Sequence, residues 1–122
     1  MIKILFSPKS IQDINEIKNY LEEELCSKKV IERIIRKILD RIYKLADFPE
    51  IGTPLNSVVA IKTSYRYLVC ENYKIFYTIE NDEVHISRIF SIKRNYLSIL
   101  FKNNQKPWFN SRLFKCFQIY DV

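Results

Sequence analysis

The sequence predicts an α+β fold: an N-terminal strand, then an α-helical hairpin packed on one face of a twisted, mainly antiparallel β-sheet of about four strands. Three observations lead there. Apolar residues from Ile11 to Leu45 recur at three- and four-residue steps, the period of a buried helix face. From Tyr65 to Phe90 strand-like runs follow one another with Glu71-Asn72 and Asn81-Asp82 as short polar links. Between the two halves, Phe48 to Pro54 holds Pro49, Pro54 and the chain's single glycine, Gly52, a turn that separates helices from sheet.

Ile2, Ile4 and Phe6 alternate with Lys3 and Leu5, which reads as a short first strand that joins the sheet. Ser7-Pro8 is a helix start, because the hydroxyl accepts an orphan amide and proline at the first helical position forfeits no hydrogen bond. Ile11, Ile14, Ile17, Leu21 and Leu25 form the apolar stripe of this helix. Ser27 is a second cap, and Ile31, Ile34, Ile35, Ile38, Ile42 and Leu45 are the buried face of the second helix. Strands are expected near Val58–Ile61, Tyr65–Cys70, Tyr73–Glu80 and Glu83–Phe90. Their short Asn- and Asp-bearing links tolerate positive φ and imply antiparallel neighbours. A last short helix is expected over Ile92–Phe101, through Tyr96, Leu97, Leu100 and Phe101.

A chain of 122 residues, 48% of them apolar, builds one core and not two. The net charge of +6 favours a polyanion or an acidic protein as partner. The charge is unevenly spread. Ser27 to Leu45 holds seven basic against two acidic residues, whereas Pro8 to Leu25 holds two lysines against five acids. Attraction between the two helices accounts for that split; a nucleic-acid role for the second helix is the other reading.

Cys26, Cys70 and Cys116 are odd in number and widely spaced, so neither a disulfide framework nor a CxxC metal site is indicated. No cofactor or metal is expected. MIKILFSPKS has too short an apolar run for a signal peptide, and no run of about eighteen apolar residues is present for a membrane helix. A cytoplasmic protein with no membrane partner is the expectation.

One glycine argues against a phosphate-cradling loop, and no carboxylate pair, metal cluster or Ser-His-Asp arrangement is visible. His85 lies three residues before Arg88, so strict alternation sends the two to opposite faces and only a bulge brings them together. What remains is cations and phenols. Arginine suits stabilisation of a phosphorane, because its planar fork binds phosphate oxygens bidentately and keeps its charge at neutral pH. A tyrosine acting as base needs a pKa far below its usual value of about 10.

The Tyr65-Arg66 pair, the Tyr73 to Tyr77 strand and an ending with Arg88, Arg94 and Tyr96 resemble the RelE/ParE superfamily of toxins from type II toxin–antitoxin systems. The resemblance covers about residues 1–101 and leaves residues 102–122 as a C-terminal extension. That tail carries Trp108, Phe109, Leu113, Phe114, Phe117, Ile119 and Tyr120, which reads as an added element on the sheet or a dimer surface. The resemblance implies a RelE/ParE-like fold and a role in growth inhibition and plasmid stabilisation. It implies a metal-independent endoribonuclease acting on mRNA at the ribosome, with Arg66, Arg88 and Tyr96 catalytic and Lys93, Arg94 and Lys62 binding RNA. The alternative within the same superfamily is a ParE-like inhibitor of DNA gyrase without nuclease activity.

Each of these residues also has a plainer reading: Arg66 paired with a surface acid, Arg88 bound to a carbonyl or to the antitoxin, Tyr96 in the core. One departure stands out. Many superfamily members carry a histidine where this chain has Ser91, and a second histidine near the C-terminus of some ribonuclease members is also absent. A cognate antitoxin is implied in every case, an acidic protein whose disordered tail folds across the basic groove.

Overall fold

The computed structural model describes residues 2–24, 26–60 and 62–92 and the backbone of residues 115–116. Two helices lie on a mixed sheet whose strand order is β2-β3-β4-β5-β1-β6. The strands are β1 (Lys3–Phe6), β2 (Thr53–Pro54), β3 (Arg66–Cys70), β4 (Tyr73–Glu80), β5 (Glu83–Ser91) and β6 (Lys115–Cys116); the helices are α1 (Pro8–Glu23) and α2 (Lys28–Tyr43). The α+β expectation holds. β3, β4 and β5 form an antiparallel meander, and β1 joins β5 in parallel with Lys3 opposite Glu83 and Phe6 opposite Ile86.

Local chemistry explains the element boundaries. The Ser7 hydroxyl accepts the Ser10 N–H at 3.0 Å and donates to the Ser87 carbonyl at 2.8 Å, so one side chain both caps α1 and ties it to β5. Ser27 caps α2 by accepting the Val30 N–H. Asn81 and Asp82 both take positive φ, 51° and 60°, the paired left-handed conformation of the two-residue hairpin turn whose twist matches its strands. Glu71 does so alone in the β3–β4 turn, at 54°.

The main core lies between helices and sheet. Phe6, Ile38, Ile42, Leu45, Ile75, Tyr77, Val84 and Ile86 are almost wholly buried there, each aliphatic or aromatic group contributing about 1.5–3 kcal/mol by leaving water. A smaller cluster of Leu55, Tyr65, Phe76 and Phe90 occupies the opposite face, with Tyr65 and Phe90 both ringed against Phe76.

Three expectations are corrected. The buried side of α1 is Ser10, Asp13, Ile17 and Leu21, with Ile11 and Ile14 only half-buried; the helix is rotated so that a carboxylate faces inward, for a reason given below. α2 stops at Tyr43, and Leu45 is buried from a following 3-10 turn, Lys44–Ala46. Val58–Ala60 form no strand. The chain instead makes a 3-10 turn over Leu55–Ser57, where the Leu55 carbonyl accepts the Val58 and Val59 N–H groups and Ser57 Oγ donates to the Pro54 carbonyl. Those local bonds satisfy the backbone and bury Leu55, which overrides the strand preference of the valines. The edge strand is the shorter β2, where proline's missing N–H costs nothing. Leu25, Ile61, the expected helix beyond Ile92 and most of the C-terminal extension lie outside the described residues.

Candidate functional site

The sheet places Arg66 and Arg88 in two separate settings. Arg66, first residue of β3, pairs across to Tyr77 of β4. Its Nη1 donates to the carbonyls of Glu50 and Gly52 at 3.2 and 2.8 Å, and its Nη2 lies 3.7 Å from Glu50 Oε1. The Tyr77 hydroxyl reaches the same loop, donating to the Pro49 carbonyl at 2.8 Å and accepting the Gly52 N–H at 2.9 Å. A Cβ at residue 52 would fall on that hydroxyl, which explains the chain's one glycine by close approach. The surface-acid reading of Arg66 is therefore part of the picture, and the carbonyls are the rest.

Arg88 is held by Asp13. Its Nε and Nη2 donate to the two carboxylate oxygens at 2.8 and 3.0 Å, and Asp13 Oδ2 also accepts the Ile89 N–H at 2.9 Å. The last rung linking the end of β1 to β5 is Ser7 N–H to the Ile86 carbonyl. Beyond it no strand lies beside β5 among the described residues, and Asp13 on α1 accepts the Ile89 N–H there. The guanidinium also lies 4.4 Å from the Phe90 ring centre, a stacked cation over an aromatic face. The carboxylate is only 3% exposed and the Arg88 side chain 12%, so neither is free to exchange partners cheaply.

A bulge changes the relation of Arg88 to His85. Phe76 pairs with Arg88 while its neighbour Tyr77 pairs with Ile86, leaving Ser87 as the extra residue. Since Phe76 and Thr78 share a face of β4, their partners Arg88 and His85 share one too. Strict alternation would have separated them. The His85 ring is fully buried, with Nδ1 3.1 Å from Glu80 Oε2 and Nε2 3.0 Å from Glu83 Oε1. That holds it in the β4–β5 hairpin.

Two buried phenols on the sheet, Tyr65 and Tyr77, are poor bases. Burial lifts the Tyr65 hydroxyl well above the ordinary tyrosine range, against the opposing pull of Ser87 and Arg88. Burial likewise raises Tyr77, opposed by the Gly52 bond and by Arg66. Lys62 is exposed, while Lys93, Arg94 and Tyr96 lie outside the described residues. A cleft of about 730 Å³ between α1 and the sheet is lined by Glu16, Ile17, Tyr20, Leu21, Tyr73 and Ile92 among others. Its described lining is acidic and aromatic and includes neither Arg66 nor Lys62.

Sequence reasoning missed Asp13, which is the residue that fixes Arg88. The signal was present: Ser10, Asp13 and Ile17 are spaced as one helical stripe, and a lone acid on such a stripe calls for a cationic partner. Among the described residues no ion pair joins α1 to α2. Lys37 of α2 instead meets Glu71 at 3.4 Å, so the basic face of α2 is left to solvent. No group of described residues is arranged to hold a metal ion, and no described helix is long and apolar enough to cross a membrane.

Comparison with known proteins adds two findings. The model of a family described as "ParE toxin of type II toxin-antitoxin system, parDE" matches residues 4–96. A solved structure described as "Chromosomal ParDE TA system from P. aeruginosa" is similar with a TM-score of 0.62 at 18% sequence identity, over 75% of this chain and 96% of that one, a likeness of fold. No curated protein sequence gives a significant match.

Proposed function

Because the chain belongs to the ParE toxin family of type II toxin–antitoxin systems, we propose that it arrests growth by binding and inhibiting DNA gyrase, with no nuclease chemistry of its own. The observation that carries this reading is the engagement of Arg88 by Asp13 in two hydrogen bonds. A ribonuclease would need that guanidinium on the scissile phosphate. Withdrawing it would strand a carboxylate that is 3% exposed, at a cost of about 3–5 kcal/mol. Arg66 is similarly spent on two carbonyls, and the raised Tyr65 and Tyr77 hydroxyls resist ionisation.

The RelE-like reading, a metal-free mRNA endoribonuclease at the ribosome, draws on one feature. The Arg66 side chain keeps 24% exposure, and exposed Lys62 precedes it in the chain; with Lys93, Arg94 and Tyr96 they would make a phosphate-binding set.

The family brings a cognate antitoxin. Its natural seat is the exposed basic side of α2, where Lys29, Arg33, Arg36 and Lys37 face solvent and an acidic segment gains favourable charge pairing. Induced expression, with gyrase-linked DNA breaks and RNA 5′ ends mapped in the same cells, distinguishes the two activities. Trapped gyrase with intact mRNA supports the first reading, and new cuts inside translated mRNA support the second.

A further inference from the structure

We propose that the turn Phe48–Ile51 is a preformed recognition tip that enters an apolar pocket, rimmed by basic side chains, on a folded protein target. The inference rests on the reading above, that this toxin acts by binding a protein. It goes beyond that reading by naming the surface and the chemistry it fits.

The tip combines exposure with rigidity. Phe48 is 63% and Ile51 54% exposed, and the Ile51 N–H bonds back to the Phe48 carbonyl at 3.2 Å, closing the turn between them. Exposed apolar loops are ordinarily loose; this one is bolted to the sheet. Its Pro49, Glu50 and Gly52 carbonyls are taken by Tyr77 and Arg66, and its Gly52 N–H by Tyr77 again. The Tyr77 ring that supplies two of these bonds is wholly buried in the core. The backbone that carries two large exposed side chains is thus held before any partner arrives, which lowers the ordering cost of binding. A phenylalanine so placed contributes little to folding and much to an interface.

Charge selects the occupant. Asp47 precedes the apolar pair and Glu50 lies within it, both exposed. Arg66 turns its Nη1 inward onto carbonyls and sets its Nη2 3.7 Å from Glu50, so among the described residues Asp47 carries the unpaired negative charge of the tip. A nucleic acid or an acidic antitoxin would meet like charge here. A second copy of this chain, docking tip to tip across a two-fold, would set Asp47 and Glu50 against their own equivalents. An apolar pocket with a basic rim meets neither objection and matches both features of the tip.

The test compares the wild-type chain with Phe48→Ser/Ile51→Ser, with Asp47→Lys/Glu50→Lys, and with Val69→Ser as an exposed apolar control elsewhere. Growth arrest on induced expression and inhibition of supercoiling by purified gyrase are measured, with thermal melting as the check on folding. The double serine variant should melt as wild type, lose growth arrest and inhibit gyrase roughly tenfold less or weaker still. Charge reversal should weaken inhibition at low salt and lose its effect at high salt; Val69→Ser should behave as wild type. A folded double serine variant that arrests growth like wild type overturns the proposal. If the wild type arrests growth without touching gyrase, the gyrase reading fails, and the growth assay still decides the tip. A wild type with neither activity overturns both.

Discussion

Asp13 and Arg88, seventy-five positions apart in sequence, form a two-pronged ion pair in which Asp13 also accepts the Ile89 N–H of β5. This contact fastens α1 to the strand that begins the family's basic ending. It holds a residue expected at a scissile phosphate against α1.

Asp13→Ala should therefore destabilise the fold by about 3–5 kcal/mol, because it leaves a largely buried guanidinium and the Ile89 N–H without their acceptor. Arg88→Ala should cost a similar amount. Urea unfolding of both single variants and the double variant measures the coupling, and the double should cost clearly less than the sum of the singles.

At the Arg66 loop, Tyr77→Phe removes the hydroxyl that bonds Pro49 and Gly52 and should cost about 1–3 kcal/mol. Gly52→Ala drives a methyl into the Tyr77 ring and should cost about as much through overpacking. Melting temperatures of the singles and the double check this, and the pair should again be sub-additive because the hydroxyl is the nearest obstacle.

Glu71→Asn should raise stability by up to about 1 kcal/mol. Positive φ at Glu71 strains a long side chain by about 1–2 kcal/mol, asparagine tolerates it, and the exposed Lys37–Glu71 pair returns less than about 1 kcal/mol. Thermal melting at moderate salt reads the difference.

Alkaline pH should unfold the protein. Tyr65 and Tyr77 have folded pKa values raised chiefly by burial, so above about pH 10, the ordinary tyrosine value, the unfolded chain releases protons that the folded one retains. Their stabilisation is intact below that pH and is lost as pH climbs from there toward the folded values. Urea midpoints should be flat in this respect up to about pH 9 and fall beyond it, less steeply in Tyr65→Phe.

The helices, the β3–β5 meander and the α1 cap were legible because each is dictated by a local pattern: Ser7-Pro8, the isoleucine stripe of α2, Asn81-Asp82. Val58 and Val59 misled because Leu55 gained more by burial under a 3-10 turn than the valines would have gained in a strand. The candidate site was legible only in part. Arg66 and Arg88 are identifiable as cations in strands, but their partners, two loop carbonyls and the distant Asp13, are fixed by tertiary folding. The bulge at Ser87 that sets the face of Arg88 has no glycine to announce it, and the Phe48–Ile51 turn has a linker's sequence because what holds it, Tyr77 and Arg66, comes from distant strands.

The most direct test of the central claim is supercoiling by purified gyrase in the presence of this chain, beside RNA 5′-end mapping in cells expressing it. The account predicts inhibited supercoiling, gyrase-linked DNA breaks and intact translated mRNA. Unimpaired gyrase together with new cuts inside translated mRNA would contradict it.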